Sequence, residues 1–160
     1  MKNIWIIHNS KHGNSEKLSN EIAEGMKDKF NVKVDSIKSL NPEELAGYNP
    51  DALIIGARII AMNTDRKMTK FVKNLGVYFE GQIPKIATFY THAVSWTDKF
   101  SRGMRKALEK STCIGDLCPE ILEVTMEKQK GPAAEGQEET IQNYINMLKD
   151  FIGEWTVPKK

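Results

Sequence analysis

The run His8-Asn9-Ser10-Lys11-His12-Gly13-Asn14-Ser15 is a set of hydrogen-bond donors suited to an anion. Ser10 and Ser15 offer hydroxyls and Asn14 an amide. Gly13 lets the backbone come close to a phosphate, and amides at a helix start favour negative charge. Read alone, the same run is equally a polar turn that caps a helix. Two later segments could complete a site. Gly56–Thr64 (GARIIAMNT) carries Arg58, Ile59, Ile60 and Met62; Thr91–Thr97 (THAVSWT) carries His92 and Trp96. The apolar members could wall a flat ring, and Trp96 could stack on it or shield the core edge instead. Arg58 is either a cation beside such a ring or the partner of a surface carboxylate. His92 either reaches the ring edge or lies in solvent. His8 reads as a structural hydrogen bonder.

Other chemistries find less support. Cys113 and Cys118 are the only two cysteines, and with three histidines in all the count argues against a zinc site. They read as two buried or semi-buried reduced thiols, a redox disulfide having no motif behind it. The net charge of +2 gives no nucleic-acid footprint, and the lysines are scattered. No apolar run approaches the ~20 residues needed to span a bilayer. No secretory signal is visible, so cytoplasmic localisation is expected.

The elements that must position these residues alternate between strand and helix. Strands are expected at Ile4–Ile7, Val32–Ile37, Ala52–Ile55, Ile86–Tyr90 and Ile121–Thr125. The first, third and fourth are nearly continuous apolar runs, as in central parallel strands covered on both faces. The second alternates, which suggests an edge. Helices are expected after Ser15, after Asn41-Pro42, from Thr64 or Asp65, after Thr97, and along Ile141–Trp155. Ser15, Asn41 and Thr97 are the expected caps. The pattern predicts a single α/β domain over the 160 residues, a three-layer α/β/α sandwich on a five-stranded parallel sheet. Ligands of such sheets sit outside the carboxyl ends of the strands. Residues Glu127 to Glu139 read as a loop, and Trp5 and Trp155 as packing.

Over its full length the chain resembles a short-chain flavodoxin. Ser10-Lys11-His12-Gly13-Asn14-Ser15 resembles the family's phosphate loop of hydroxyl, any residue, Thr, Gly, Asn, hydroxyl. Tyr48-Asn49-Pro50-Asp51-Ala52-Leu53-Ile54-Ile55-Gly56 is similar to its Tyr-Asp-hydrophobic-Gly segment. Gly81–Tyr90 resembles its fourth strand, and Gly131-Pro132 its approach to the last helix. The resemblance implies a flavodoxin-like sheet order 2-1-3-4-5, with the ligand at the switch in strand order. It leaves no room for the ~20-residue interruption of the last strand seen in long-chain members.

The resemblance further implies FMN as cofactor. Ser10, Lys11, His12, Gly13, Asn14 and Ser15 would bind its phosphate. Ala57, Arg58, Ile59, Ile60 and Ala61, with Thr91, His92, Ala93, Val94, Ser95 and Trp96, would border the isoalloxazine. The function implied is electron transfer between redox proteins met transiently, by a monomer or weak dimer, with no catalytic residue and no metal. Three departures stand out. His12 replaces Thr, Arg58 replaces a small residue, and the charge is +2 where the family is usually strongly acidic. A fixed cation at Arg58 would favour the anionic reduced flavin and raise its potential. The alternative is an FMN-dependent oxidoreductase. Ile55–Ile59 and Arg66–Asn74 are similar to flavodoxin-like protoporphyrinogen dehydrogenases, without that family's long extra loop, and an NAD(P)H:quinone reductase lacks a second nucleotide motif. A third option is a scaffold or a binder of another phosphate compound.

Overall fold

The computed structural model describes residues 1–10, 13–60, 63–93, 98–127 and 136–153. The first strand, β1 (Asn3–His8), pairs in parallel with β2 (Asn31–Ser36) on one side and β3 (Ala52–Ile60) on the other. The chain therefore leaves β1 in one direction, returns, and continues in the other, which creates the switch point between β1 and β3. β3 pairs in parallel with β5 (Ile83–His92), and β5 with both β6 (Ile114–Leu117) and β7 (Leu122–Thr125). The main path is β2-β1-β3-β5-β6. Counted by lanes this is the expected 2-1-3-4-5, with β2 at the edge.

The sheet has seven strands rather than five, because two expectations were too simple. The last lane is broken in two. Its register with β5 runs to Ile86↔Leu117 and resumes at Phe89↔Leu122. Two residues of β5 thus face four of the edge chain, among them Pro119, which has no N–H for the ladder. The carbonyl of Thr88, inside the gap, accepts a hydrogen bond from the Tyr144 hydroxyl at 2.7 Å. β6 itself carries Gly115, where a Cβ would stand 2.6 Å from the Ile83 carbonyl oxygen. Only glycine lets the edge chain come this close. The other added strand is β4 (Asn63–Thr64), antiparallel to the end of β3 through Ile59↔Thr64 and Ile60↔Asn63. Gly56–Ile60 are therefore strand, not loop, as are Thr91 and His92 at the end of β5.

Among the described residues, five α-helices cover the two faces. α1 (Asn14–Met26) buries Leu18, Ile22 and Met26, and α5 (Glu138–Gly153) buries Ile141, Ile145, Leu148 and Ile152. Both pack with Ile4, Ile6, Ile54 and Phe89 of the sheet. On the opposite face α2 (Pro42–Tyr48), α3 (Arg66–Tyr78) and α4 (Arg102–Lys110) bury Leu45, Met68, Leu75, Met104 and Leu108 against Trp5, Ile7, Leu53 and Ile55. Odd and even residues of one strand thus feed two cores, which is why β1 and β3 are apolar throughout. Trp5 is core, stacked on Tyr48 at 4.8 Å, with its indole N–H donating to Asp35. Cys113 and Cys118 are buried, free thiols, and burial raises both above the usual thiol range.

The caps divide. Asn41 accepts from the Glu44 amide at 2.8 Å with Pro42 opening the helix, and Asp65 accepts from the Lys67 amide at 2.9 Å. Ser15 is not a cap. Gly13 takes that position with φ 86°, and Ser15 lies inside α1, fully buried. α4 follows a 3-10 turn (Asp98–Ser101) that holds Phe100, and Thr97 lies outside the described residues, as does Trp155.

Candidate functional site

The register brings the ends of three strands together. His8 of β1 is level with Gly56 of β3, Gly56 with Phe89 of β5, and Arg58 with Thr91. β1 stops there, while β3 continues four residues to Ile60. The segment after β1 therefore starts beside a wall made by β3. Gly56 makes the wall possible, since a Cβ there would meet the Phe89 ring at 2.2 Å.

Of the predicted phosphate-loop residues, Lys11 and His12 lie outside the described residues. Gly13 carries the left-handed backbone that turns the chain into α1, a conformation glycine adopts without cost. The first intrahelical bond runs from the Lys17 amide to the Gly13 carbonyl at 2.9 Å. The amides of Ser15 and Glu16 precede it, at the positive end of a 13-residue helix. The Ser15 hydroxyl shares a 3.3 Å hydrogen bond with that of Thr91, tying the start of α1 to the end of β5. Ser19 returns a bond to the Ser15 carbonyl at 2.6 Å. Lys38, just past β2, donates to the Ser10 carbonyl at 2.8 Å and brings a positive charge to the loop.

On the second side, Ala57 is fully buried, Arg58 and Ile59 are half-buried, and Ile60 is exposed. Ala61 and Met62 lie outside the described residues. Arg58 does not pair with a surface carboxylate. Its guanidinium meets Asp65, 3% exposed, at 3.4 Å. Asp65 also accepts from the side-chain amide of Asn9, which is 1% exposed. On the third side, Thr91 is buried and Ala93 exposed, while residues 94–97, with Val94, Ser95 and Trp96, lie outside the described residues. His92 is not a solvent-exposed loop histidine. It is buried at the end of β5, its Nε2 against the carboxylate of Glu123 on β7.

Four buried side-chain atoms have no hydrogen-bond partner among the described residues: His8 Nδ1, Asn9 Oδ1, Ser10 Oγ and Arg58 Nε. All four sit at the carboxyl ends of β1 and β3. A buried, unsatisfied polar group costs ~1–3 kcal/mol, so such a cluster marks a place shaped for a polar ligand. His8 reads as a structural hydrogen bonder in the sequence, and its Nδ1 has no partner among the described residues. Its pKa is lowered from 6.5, chiefly because burial penalises the imidazolium; Glu16 opposes this and Lys38 adds to it. Lys38 and Asp65, which lie outside the predicted site residues, also reach this cluster, and Asn9 joins it from within the predicted loop. In the sequence Asp65 reads only as a possible helix start, and Lys38 reaches this cluster through the parallel placement of β2 beside β1.

A family model described as a flavodoxin domain matches residues 5–113. In fold the chain is similar to oxidised flavodoxin 1 from Bacillus cereus, with TM-score 0.71, 16% identity, and coverage of 96% of this chain and 99% of that one. Two curated proteins provisionally named pre-16S rRNA nuclease, from Aeromonas hydrophila and Aeromonas salmonicida, are each 31% identical to it, over 91 and 101 residues. Those matches cover 54% and 61% of this chain, and the chain spans 65% and 69% of the two proteins. The family model includes all of β1, α1, β3 and α3 beyond its first residues, and the fold likeness continues through α5. The nuclease likeness covers a smaller share of the chain than either.

Proposed function

The chain belongs to the flavodoxin domain family, and from that premise we propose that it binds FMN and carries electrons between redox proteins. The observation that carries this reading is the cluster of unpartnered buried atoms at the switch point. FMN has the complementary groups: an anionic phosphate, a chain of hydroxyls that donate and accept, and a ring with both kinds of edge. Bound there, FMN supplies one- or two-electron redox chemistry.

The protein's part is binding and tuning. Ser10 Oγ donates to the phosphate, with Lys11, His12, Gly13, Asn14 and Ser15 completing the loop. The dipole of α1 and the Lys38 ammonium favour the anion. Asn9 Oδ1 accepts from a ligand hydroxyl or N–H. Ala57 to Ala61 and Thr91 to Trp96 border the ring, Trp96 stacking on it. No side chain acts as acid, base or nucleophile. Partners meet an exposed edge in brief encounters, with little long-range steering at a net charge of +2. The protein works in the cytoplasm as a monomer or weak dimer.

Fluorescence titration of FMN with the apoprotein tests this directly. Stoichiometric quenching and a yellow complex are expected. A colourless protein that leaves FMN fluorescence unchanged would overturn the reading, and cleavage of precursor 16S RNA by it would favour the activity in the Aeromonas proteins' name. Steady NAD(P)H oxidation with a quinone by the pure yellow protein would replace the carrier with the oxidoreductase alternative.

A further inference from the structure

Asp65 receives more of the site than its role as a helix cap requires. Its Oδ1 accepts the Lys67 amide at 2.9 Å, which is the cap. Its Oδ2 takes the Asn9 side-chain amide and stands 3.4 Å from the Arg58 guanidinium. Its own amide donates to the Arg58 carbonyl at 2.9 Å. One carboxylate thus joins the segment after β1, the end of β3 and the start of α3.

Two consequences follow from its chemistry. An ionised carboxylate only accepts, so Asn9 must present its NH₂ to Asp65 and its oxygen elsewhere. That oxygen is the buried Oδ1, which has no partner among the described residues. Arg58, in turn, faces the site as half of an ion pair and not as a lone cation. The Arg58 side chain is 21% exposed and that of Asp65 4%, so solvent screens the pair only partly.

We propose that Asp65 is a positioning residue for the flavin site: it compensates the charge of Arg58 beside the ring and fixes Asn9 with its carbonyl oxygen toward the ligand. This rests on the reading of the site as an FMN site. It revises the simple expectation that Arg58 raises the flavin potential as an isolated positive charge. With the pair intact, the anionic reduced ring meets a nearly neutral neighbour.

The test is a set of three variants of the holoprotein, read by midpoint potential and by FMN affinity. Asp65→Asn keeps an acceptor for the Lys67 amide, so the cap survives, and leaves Arg58 uncompensated. The reduced flavin should then gain about tenfold in affinity relative to the oxidised form, a rise of ~30 mV for two electrons. Arg58→Met leaves the Asp65 anion alone and should lower the potential. The double variant, Asp65→Asn with Arg58→Met, carries no buried charge and should return to within about twofold of wild type in that affinity ratio. A double variant as low as Arg58→Met would show Arg58 acting as an isolated cation and would overturn the proposal. So would an unchanged potential in Asp65→Asn. Should Asp65→Asn not fold, the double variant against wild type decides alone. Wild-type protein that does not bind FMN would remove the functional reading first, and this inference with it. Wild-type protein that binds FMN, with potentials indifferent to Asp65, would remove this inference only.

Discussion

At their amino ends β1 and β3 are closed by their own residues, while at their carboxyl ends they are left open. The Asn3 amide donates to the Asp51 carboxylate at 2.8 Å, and the Asp51 amide donates back to the Asn3 carbonyl at 2.9 Å. The Asn31 amide meets the Lys2 carbonyl at 3.0 Å, and the Lys2 ammonium reaches the end of α5 at the Ile152 carbonyl, 2.8 Å away. At the other end, 15–20 Å along the same strands by the usual rise of about 3.3 Å per residue, His8, Asn9, Ser10 and Arg58 each keep a buried polar atom without a partner among the described residues. One end serves stability. The other holds polar capacity in reserve, at a cost to the apoprotein that a ligand would offset.

The largest effect should come from blocking the open end. In Gly56→Val the new side chain meets the fully buried Phe89 ring, its Cβ 2.2 Å from Cζ, and nothing in the closely packed strand pair can yield cheaply. Urea unfolding should show a loss of about 3 kcal/mol. Wild-type stability in that variant would mean that the wall beside β1 is soft, and the contrast between the ends would lose its structural basis.

Next in size is the turn into α1. Nothing stands within 4 Å of a Cβ built on Gly13, so bulk against the described residues is not the obstacle; the backbone at φ 86° is. Gly13→Ala should cost about 1–2 kcal/mol, and Gly13→Asn less, because Asn tolerates the left-handed region. FMN affinity should fall in the order Gly, Asn, Ala, with Gly13→Val weakest. Equal affinity in the Val variant would refute a phosphate site at this turn.

A smaller pair of substitutions tests the sign of the contrast. Ser10→Ala removes a buried hydroxyl that has no partner among the described residues, so the apoprotein should gain about 1 kcal/mol while binding FMN less well. Asp51→Ala removes the acceptor of the Asn3 amide and should lose about 0.5–1 kcal/mol without touching FMN affinity. Two losses of stability, or two gains, would erase the distinction between a reserved end and a closed one.

Apolar period and strand–helix alternation carry the layers and the edge position of β2, while the lane order and the switch point rest on the resemblance to flavodoxins. Local patterns fail where a long-range contact decides. Ile114–Leu117 contains Gly and Asp, poor strand formers, and becomes β6 only because Gly115 fits against the Ile83 carbonyl. Gly56 reads as the start of a loop after Ala52–Ile55, yet β3 passes through it because the Phe89 ring occupies the missing side chain's place. In the candidate site, Ser10 and Gly13 are legible as residue types in the segment after β1, and Arg58 as a residue type, though it lies on β3 and not in a loop. The partnership of Asn9, Arg58 and Asp65 was not, because it joins residues up to 56 positions apart and no local pattern records it.

The smallest expected effect concerns His8, which lies at the open end with a pKa held below 6.5 mainly by burial. In the unfolded chain the imidazole takes up its proton near 6.5, in the folded protein only at lower pH. Between those values the unfolded state binds more protons, so stability rises with pH there. The contribution is complete above about 6.5 and is lost as pH falls through the depressed folded value. Urea midpoints of the apoprotein at pH 7.5 and 5.5 should therefore drop more for wild type than for His8→Phe, whose ring cannot titrate. FMN sharpens the test, since a phosphate beside His8 favours the imidazolium and should shrink the wild-type drop. An identical acid response in the two proteins would detach His8 from the reserve. A wild-type drop indifferent to FMN would move the phosphate away from the end of β1.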